Sequence, residues 1–266
     1  MARNWTVGQM VERLRATAPP FESEVDRLVA GNPETPVAGI ATAFSATWEV
    51  LEKAVAAGAN LLLVHEGVYY SHREQTAWLP EDPVFAAKRE RIERSGLAVY
   101  RCHDLPHRQR PDWITEALVA ALGWEDRVEE RLPEAAIVTL APTSAVEVAE
   151  LVKLRLGVPY VRGVGALTAP CTRVGVMVGY RGGGATAIPL LGGRRLDLVL
   201  AGEGPEWETP EYVADSVSQG REKALLLLGH AASEKPGMAA LARRLQELFP
   251  GLPVHAISDS VAIRTL

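Results

Sequence analysis

VAGIATAFSATWEVLEKAVAAGANLLLVHE, residues 37–66, contains one complete strand–helix–strand unit. Val37–Phe44 has the apolar, small-residue character of a buried strand. Ser45 or Thr47 then offers a hydroxyl cap, and Val50, Leu51, Val55 and Ala56 recur at helical spacing until Gly58 ends the helix. Asn60–Val64 is a second apolar run that stops abruptly at His65-Glu66. Strands this continuously apolar are buried on both faces, which is the mark of a parallel sheet covered by helices.

The same alternation extends outward along the chain. Residues 5–17 predict a helix with Trp5, Met10, Val11 and Leu14 on one face. Asp82–Ser95 is a helix closed by Gly96, and Leu97–Cys102 is the next strand, ending at His103. Pro111 opens a helix through Leu122. Ala135–Leu140 and Thr143–Leu156 repeat the strand–helix pair, with a hydroxyl cap ahead of acidic Glu147. Arg173–Val178, Leu196–Ala201, Ala224–Leu228 and Val254–Ile257 are further strands, and Pro210–Gln219 and residues 235–249 are helices. The expectation is one domain, residues 1–266, of two α/β lobes with mostly parallel sheets flanked by helices. A break near residues 125–135 sets the lobes at roughly 1–125 and 126–266.

Composition narrows the chemistry. The 266 residues are 47% apolar and 23% charged, with a net charge of −5, so no basic footprint points to nucleic acid. Arg89, Arg91 and Arg94 alternate with Lys88, Glu90 and Glu93 as a solvated helix face. Cys102 and Cys171 are the only cysteines. Two isolated thiols, no apolar leader and no run long enough to span a bilayer predict a cytoplasmic chain without a disulfide scaffold.

Ligands of a parallel sheet gather beyond the carboxyl ends of its strands. Four predicted strands here end on polar residues: His65-Glu66, His103-Asp104, Gly202-Glu203 and His230. The chain has six histidines, and three of them occupy that one structural position. In Gly229-His-Ala-Ala-Ser-Glu234, one helical turn separates His230 from Glu234, which suits either two ligands of one ion or a capped helix start. Glu203 is a candidate proton shuttle or a surface acid. Gly179-Tyr-Arg-Gly-Gly-Gly184 predicts a tight strand–helix turn rather than a phosphate loop, because no Walker Lys-Ser/Thr follows. His72 reads as a loop histidine, His255 as an edge-strand histidine, and Cys102 as a buried strand end. No nucleophilic serine motif is present.

These motifs together resemble the Nif-three-like proteins, also called GTP cyclohydrolase I type-2 homologues. The resemblance runs in order over roughly residues 20–260. It rests on residues 37–66, on Val99-Tyr-Arg-Cys-His-Asp-Leu-Pro-His107, on Gly202-Glu203, and most specifically on Gly229–Glu234. It implies two divalent ions (Zn, Fe or Mn) in a cleft between the lobes, and a toroidal homohexamer. Carried onto this chain, the implied ligands are His65, Glu66, His103, His107, His230 and Glu234. Glu66 stands where the family has a second histidine, and His107 where it has an aspartate, for which Asp104 is the alternative.

The function expected on this basis is a metal-dependent hydrolase that activates water, with Glu203 as the catalytic proton shuttle and an unknown small-molecule substrate. The family name implies GTP ring opening, although no purine pocket is legible in the residues. The alternative is a metal-storage, metal-delivery or regulatory scaffold without turnover.

Overall fold

The computed structural model describes residues 4–258 and 263. The chain divides into two compact units: Met1–Gln109 with Met238–Ala262, and Arg110–Gly237 with Ile263–Leu266. The sequence-based division at residue 125 does not anticipate the return of residues after 237 to the first unit. That return follows from β-pairing, because the last strand completes the first sheet.

The first unit contains α1 (Val7–Arg15), β1 (Arg27–Ala30), β2 (Ile40–Ala43), α2 (Trp48–Ala56), β3 (Leu61–Val64), α3 (Pro83–Ser95), β4 (Ala98–Arg101) and the single-turn α4 (Asp104–Arg108). The β2–α2–β3 unit forms as its sequence predicts, with Thr47 as the cap: its hydroxyl accepts a hydrogen bond from the Val50 N–H at 3.2 Å. β2 and β3 pair in parallel from Ile40↔Leu61 to Ala43↔Val64, and β3 and β4 from Leu61↔Ala98 to Val64↔Arg101. Every residue of β2, β3 and β4 is buried. The register therefore brings the residues after Val64 and after Arg101 to the same sheet edge.

The second unit contains α5 (Trp113–Leu122), β5 (Val128–Arg131), β6 (Ala136–Ser144), α6 (Ala145–Leu156), β7 (Arg162–Gly165), β8 (Pro170–Val176), α7 (Gly184–Gly193), β9 (Leu198–Ala201), α8 (Thr209–Ser218) and β10 (Ala224–Leu227). α9 (His230–Leu248) follows, and β11 (Val254–Ala256) joins the first sheet. The strand orders are β1-β4-β3-β2-β11 and β5-β6-β8-β9-β10-β7. In the first sheet only the β1–β4 pair is antiparallel. The second sheet is mixed: β8, β9 and β10 run parallel, while β5, β6 and β7 enter antiparallel.

Three strands, β1, β5 and β7, have no counterpart in the sequence reading. All three lie at sheet edges and are partly exposed, so they lack the apolar run that marks a buried strand. β6 also runs on to Ser144, which serves as the α6 cap in a reciprocal box with Glu147. α9 begins at His230 rather than near residue 235, so Pro236 lies inside a helix. No described helix is long and apolar enough to cross a membrane.

Candidate metal centre

In the first unit, β3 delivers His65 and Glu66, and β4 delivers His103 after buried Cys102. The ring centroids of His65 and His103 lie 4.5 Å apart and those of His65 and His107 5.1 Å, with 5.3 Å between His103 and His107. One ligand atom from each of the three falls within 4.8 Å of the others, and Glu66, His72 and His103 meet the same test. Three convergent imidazoles are the donor set that Zn²⁺, Fe²⁺ and Co²⁺ take. The residues present fit a borderline divalent ion.

The histidine-bearing turn is held by a buried carboxylate. Asp26 accepts hydrogen bonds from the N–H groups of His103 and Asp104, both at 2.7 Å, and of Leu105 at 2.8 Å. These are the orphan donors at the start of α4. Asp104 is not a member of either imidazole-containing group above. Its Oδ1 lies 2.9 Å from His103 Nδ1, and its Oδ2 accepts from the Ser23 hydroxyl at 2.8 Å. The His103 hydrogen bond is the largest cause pulling the Asp104 carboxyl down to about 2, against burial, which raises it. An ionised Asp104 on Nδ1 leaves His103 Nε2 as the ring's ligand atom.

The second unit repeats this device. Glu203 Oε1 lies 2.9 Å from His230 Nδ1, and Glu234 Oε2 lies 3.0 Å from His230 Nε2 across one turn of α9. With the Nδ1 proton directed at Glu203, the Nε2 and carboxylate lone pairs face each other, and that approach needs a proton or a cation. Gly179 and Gly202 make the close packing possible. A Cβ on Gly179 (φ +57°) would stand 2.3 Å from Glu234 Oε1, and one on Gly202 would stand 2.5 Å from Ser233 Oγ. The Gly179 N–H donates to Ser233 Oγ at 2.9 Å, and that hydroxyl donates to the His230 carbonyl at 2.7 Å. The Gly-rich segment is thus the tight turn its composition predicts, set against His230 and Glu234.

Three further expectations can be placed. His255 lies in β11, an edge strand. Cys102 is fully buried, and that burial drives its thiol well above the ordinary range, so it is no nucleophile. His72 is more than a loop residue: its ring joins the cluster, 5.0 Å from that of His103. Burial first and then Arg101 push its imidazole below the usual value.

Arg101, Asp26 and Ser233 escaped the sequence reading. Arg101 did leave a signal, being a full charge in the otherwise apolar LAVYRC. Asp26 left none, because the N–H groups its carboxylate accepts from lie more than seventy residues away.

Residues 6–261 match the family described as Duf34/NIF3 (NGG1p interacting factor 3). A Chlamydia pneumoniae protein named GTP cyclohydrolase 1 type 2 homolog is 27% identical over 232 residues, covering 84% of this chain and 85% of its own. Among solved structures, a Bacillus cereus protein related to NIF3 superposes with a TM-score of 0.81 at 14% identity over 100% of both chains. Reduced HcgD from Methanocaldococcus jannaschii superposes with a TM-score of 0.70 at 15% identity over 96% of this chain and 99% of its own. At such identities these structures establish a shared fold.

Proposed function

The chain belongs to the Duf34/NIF3 family, and on that footing we propose that it is a divalent-metal protein of the hydrolase class. The observation that carries the reading is the convergence of His65, His103 and His107 at the carboxyl ends of β3 and β4. His230 and Glu234 supply a second pair of ligand atoms, for up to two ions per chain. A divalent ion so held polarises a carbonyl, amidine or phosphoryl group and acidifies water. The protein's own contributions are distinct. Asp104 and Glu203 hold a proton on Nδ1 of His103 and His230 and so aim each Nε2. Glu203, which is partly exposed (43%), is also placed to pass a proton to solvent. A nucleotide or cyclic amide is the proposed substrate class, the former following the name of the chlamydial relative. The proposed setting is a cytoplasmic homo-oligomer, a toroidal hexamer as in the resemblance.

Elemental analysis of purified protein, alongside His103→Ala and His230→Ala, tests the metal reading, and absence of metal under every supply would end it. A screen over nucleotides, phosphoesters and cyclic amides then tests turnover. Activity that needs the ion and vanishes in His230→Ala and Glu203→Gln is expected. Metal binding with no turnover on any class would instead favour a metal-delivery scaffold.

A further inference from the structure

The first unit offers two overlapping ligand groups that share His103, and they cannot be treated alike. Arg101 is wholly buried at the end of β4, with its guanidinium inside the second group. Its Nε donates to the His65 carbonyl at 3.3 Å and its Nη1 to the His72 carbonyl. Its Nη2 lies 3.3 Å from Glu66 Oε2 and 3.1 Å from His72 Nδ1. A guanidinium stays protonated and has no acceptor capacity, so His72 Nδ1 must accept from it. A neutral ring that accepts at Nδ1 carries its proton on Nε2, and neither nitrogen then offers a free lone pair to an ion. Glu66 meets the guanidinium through Oε2, which compensates the buried charge, while its Oε1 stands 3.8 Å from His103 Nε2.

The loop that returns His72 to this place is itself constrained. Glu74 accepts from the N–H groups of Val68 and Tyr69, and Tyr70 and Glu74 adopt positive φ angles of 61° and 53°. A Cβ on Gly67 would stand 2.2 Å from the Ser71 carbonyl oxygen. The loop thus holds His72 against the guanidinium.

We infer that Arg101 withholds His72 from metal binding, leaving His65, His103 and His107 as the imidazole ligands of the site in this unit. The inference rests on the metal-binding reading above and sharpens it. Three imidazole donors favour Zn²⁺, Co²⁺ or Fe²⁺ over oxygen-seeking Mn²⁺ or Mg²⁺. Arg101, beside the site, acts as a fixed cation already neutralised by Glu66.

The test is a Co²⁺ titration of the full chain in a His230→Ala background, read by visible absorption and chelator competition. His72→Ala is expected to keep its Co²⁺ affinity within about threefold, because that ring does not touch the ion. His103→Ala and His107→Ala should lose about 100-fold or more, beyond the 10- to 100-fold typical of outer-shell changes. A tenfold or larger loss in His72→Ala, with uptake by the parent intact, would overturn this inference and leave the metal reading standing. No uptake in the wild-type chain would end both. Should His72→Ala fail to fold, X-ray absorption of the Zn²⁺-loaded His230→Ala protein decides. Three imidazoles support the inference, and a fourth refutes it.

Discussion

Replacing Asp26 by Asn removes one charge and one acceptor from the carboxylate that organises the His103–His107 turn. The aspartate receives three backbone N–H groups at 2.7, 2.7 and 2.8 Å and is nearly buried. Its own N–H donates to Ser23 Oγ at 2.8 Å, a contact the variant keeps. Hydrogen bonds to a charged group contribute roughly 1.5–3 kcal/mol each. Asn retains a carbonyl for the two N–H groups on Oδ1, now uncharged, and each bond weakens by about 0.5–1 kcal/mol. On the Oδ2 side an NH₂ meets the Leu105 N–H, donor against donor, and strands a buried group at a cost of about 1–3 kcal/mol. The sum is a destabilisation of about 3 kcal/mol, measurable as a lower urea midpoint at unchanged slope. Because His103 and His107 flank the same turn, Co²⁺ affinity should fall together with stability. A change below about 0.5 kcal/mol would refute the account of Asp26 as the anchor of this turn.

Two further outcomes follow from packing and from charge. Gly179→Ala places a methyl 2.3 Å from Glu234 Oε1 and forces a left-handed conformation on a residue with a Cβ. A loss of about 1–2 kcal/mol from the backbone alone is expected, together with weaker metal uptake. Unaltered uptake and stability in that variant would remove the turn from the site. Lys88, expected on the solvated face of α3, is instead buried with its ammonium on the Val68 carbonyl, and desolvation lowers its pKa to about 8 from 10.5. Between those values the unfolded chain binds more protons than the folded one, so stability rises with pH across the window and the penalty is full below about 8. Comparing wild type with Lys88→Met at pH 7 and pH 10 should show the wild type alone gaining, by up to about 3 kcal/mol. Parallel pH profiles would refute it.

Much of the architecture was legible because burial writes itself into composition. The strands closed by His65, His103, Glu203 and His230 are four-residue segments with every residue buried and, Arg101 in β4 apart, none charged. Their polar terminators therefore stood out without any structure. Edge strands β1, β5 and β7 were not legible, since a half-exposed strand needs no apolar run. His230 and Glu234 could be paired from their spacing, because one helical turn is a local distance.

What the sequence by itself determined is the class of fold, the alternation of strands and helices, and the residues that close the central strands, since each depends on local patterning and burial. Tertiary structure alone decided the partners of those residues. Parallel register put Val64 beside Arg101, which brought a guanidinium onto Glu66 and His72. It also set Asp26 under a turn far along the chain and drew β11 back beside β2. Hydrogen bonds and ion pairs between residues tens of positions apart have no periodicity to read, and here they separate a histidine that can bind an ion from one that is already engaged.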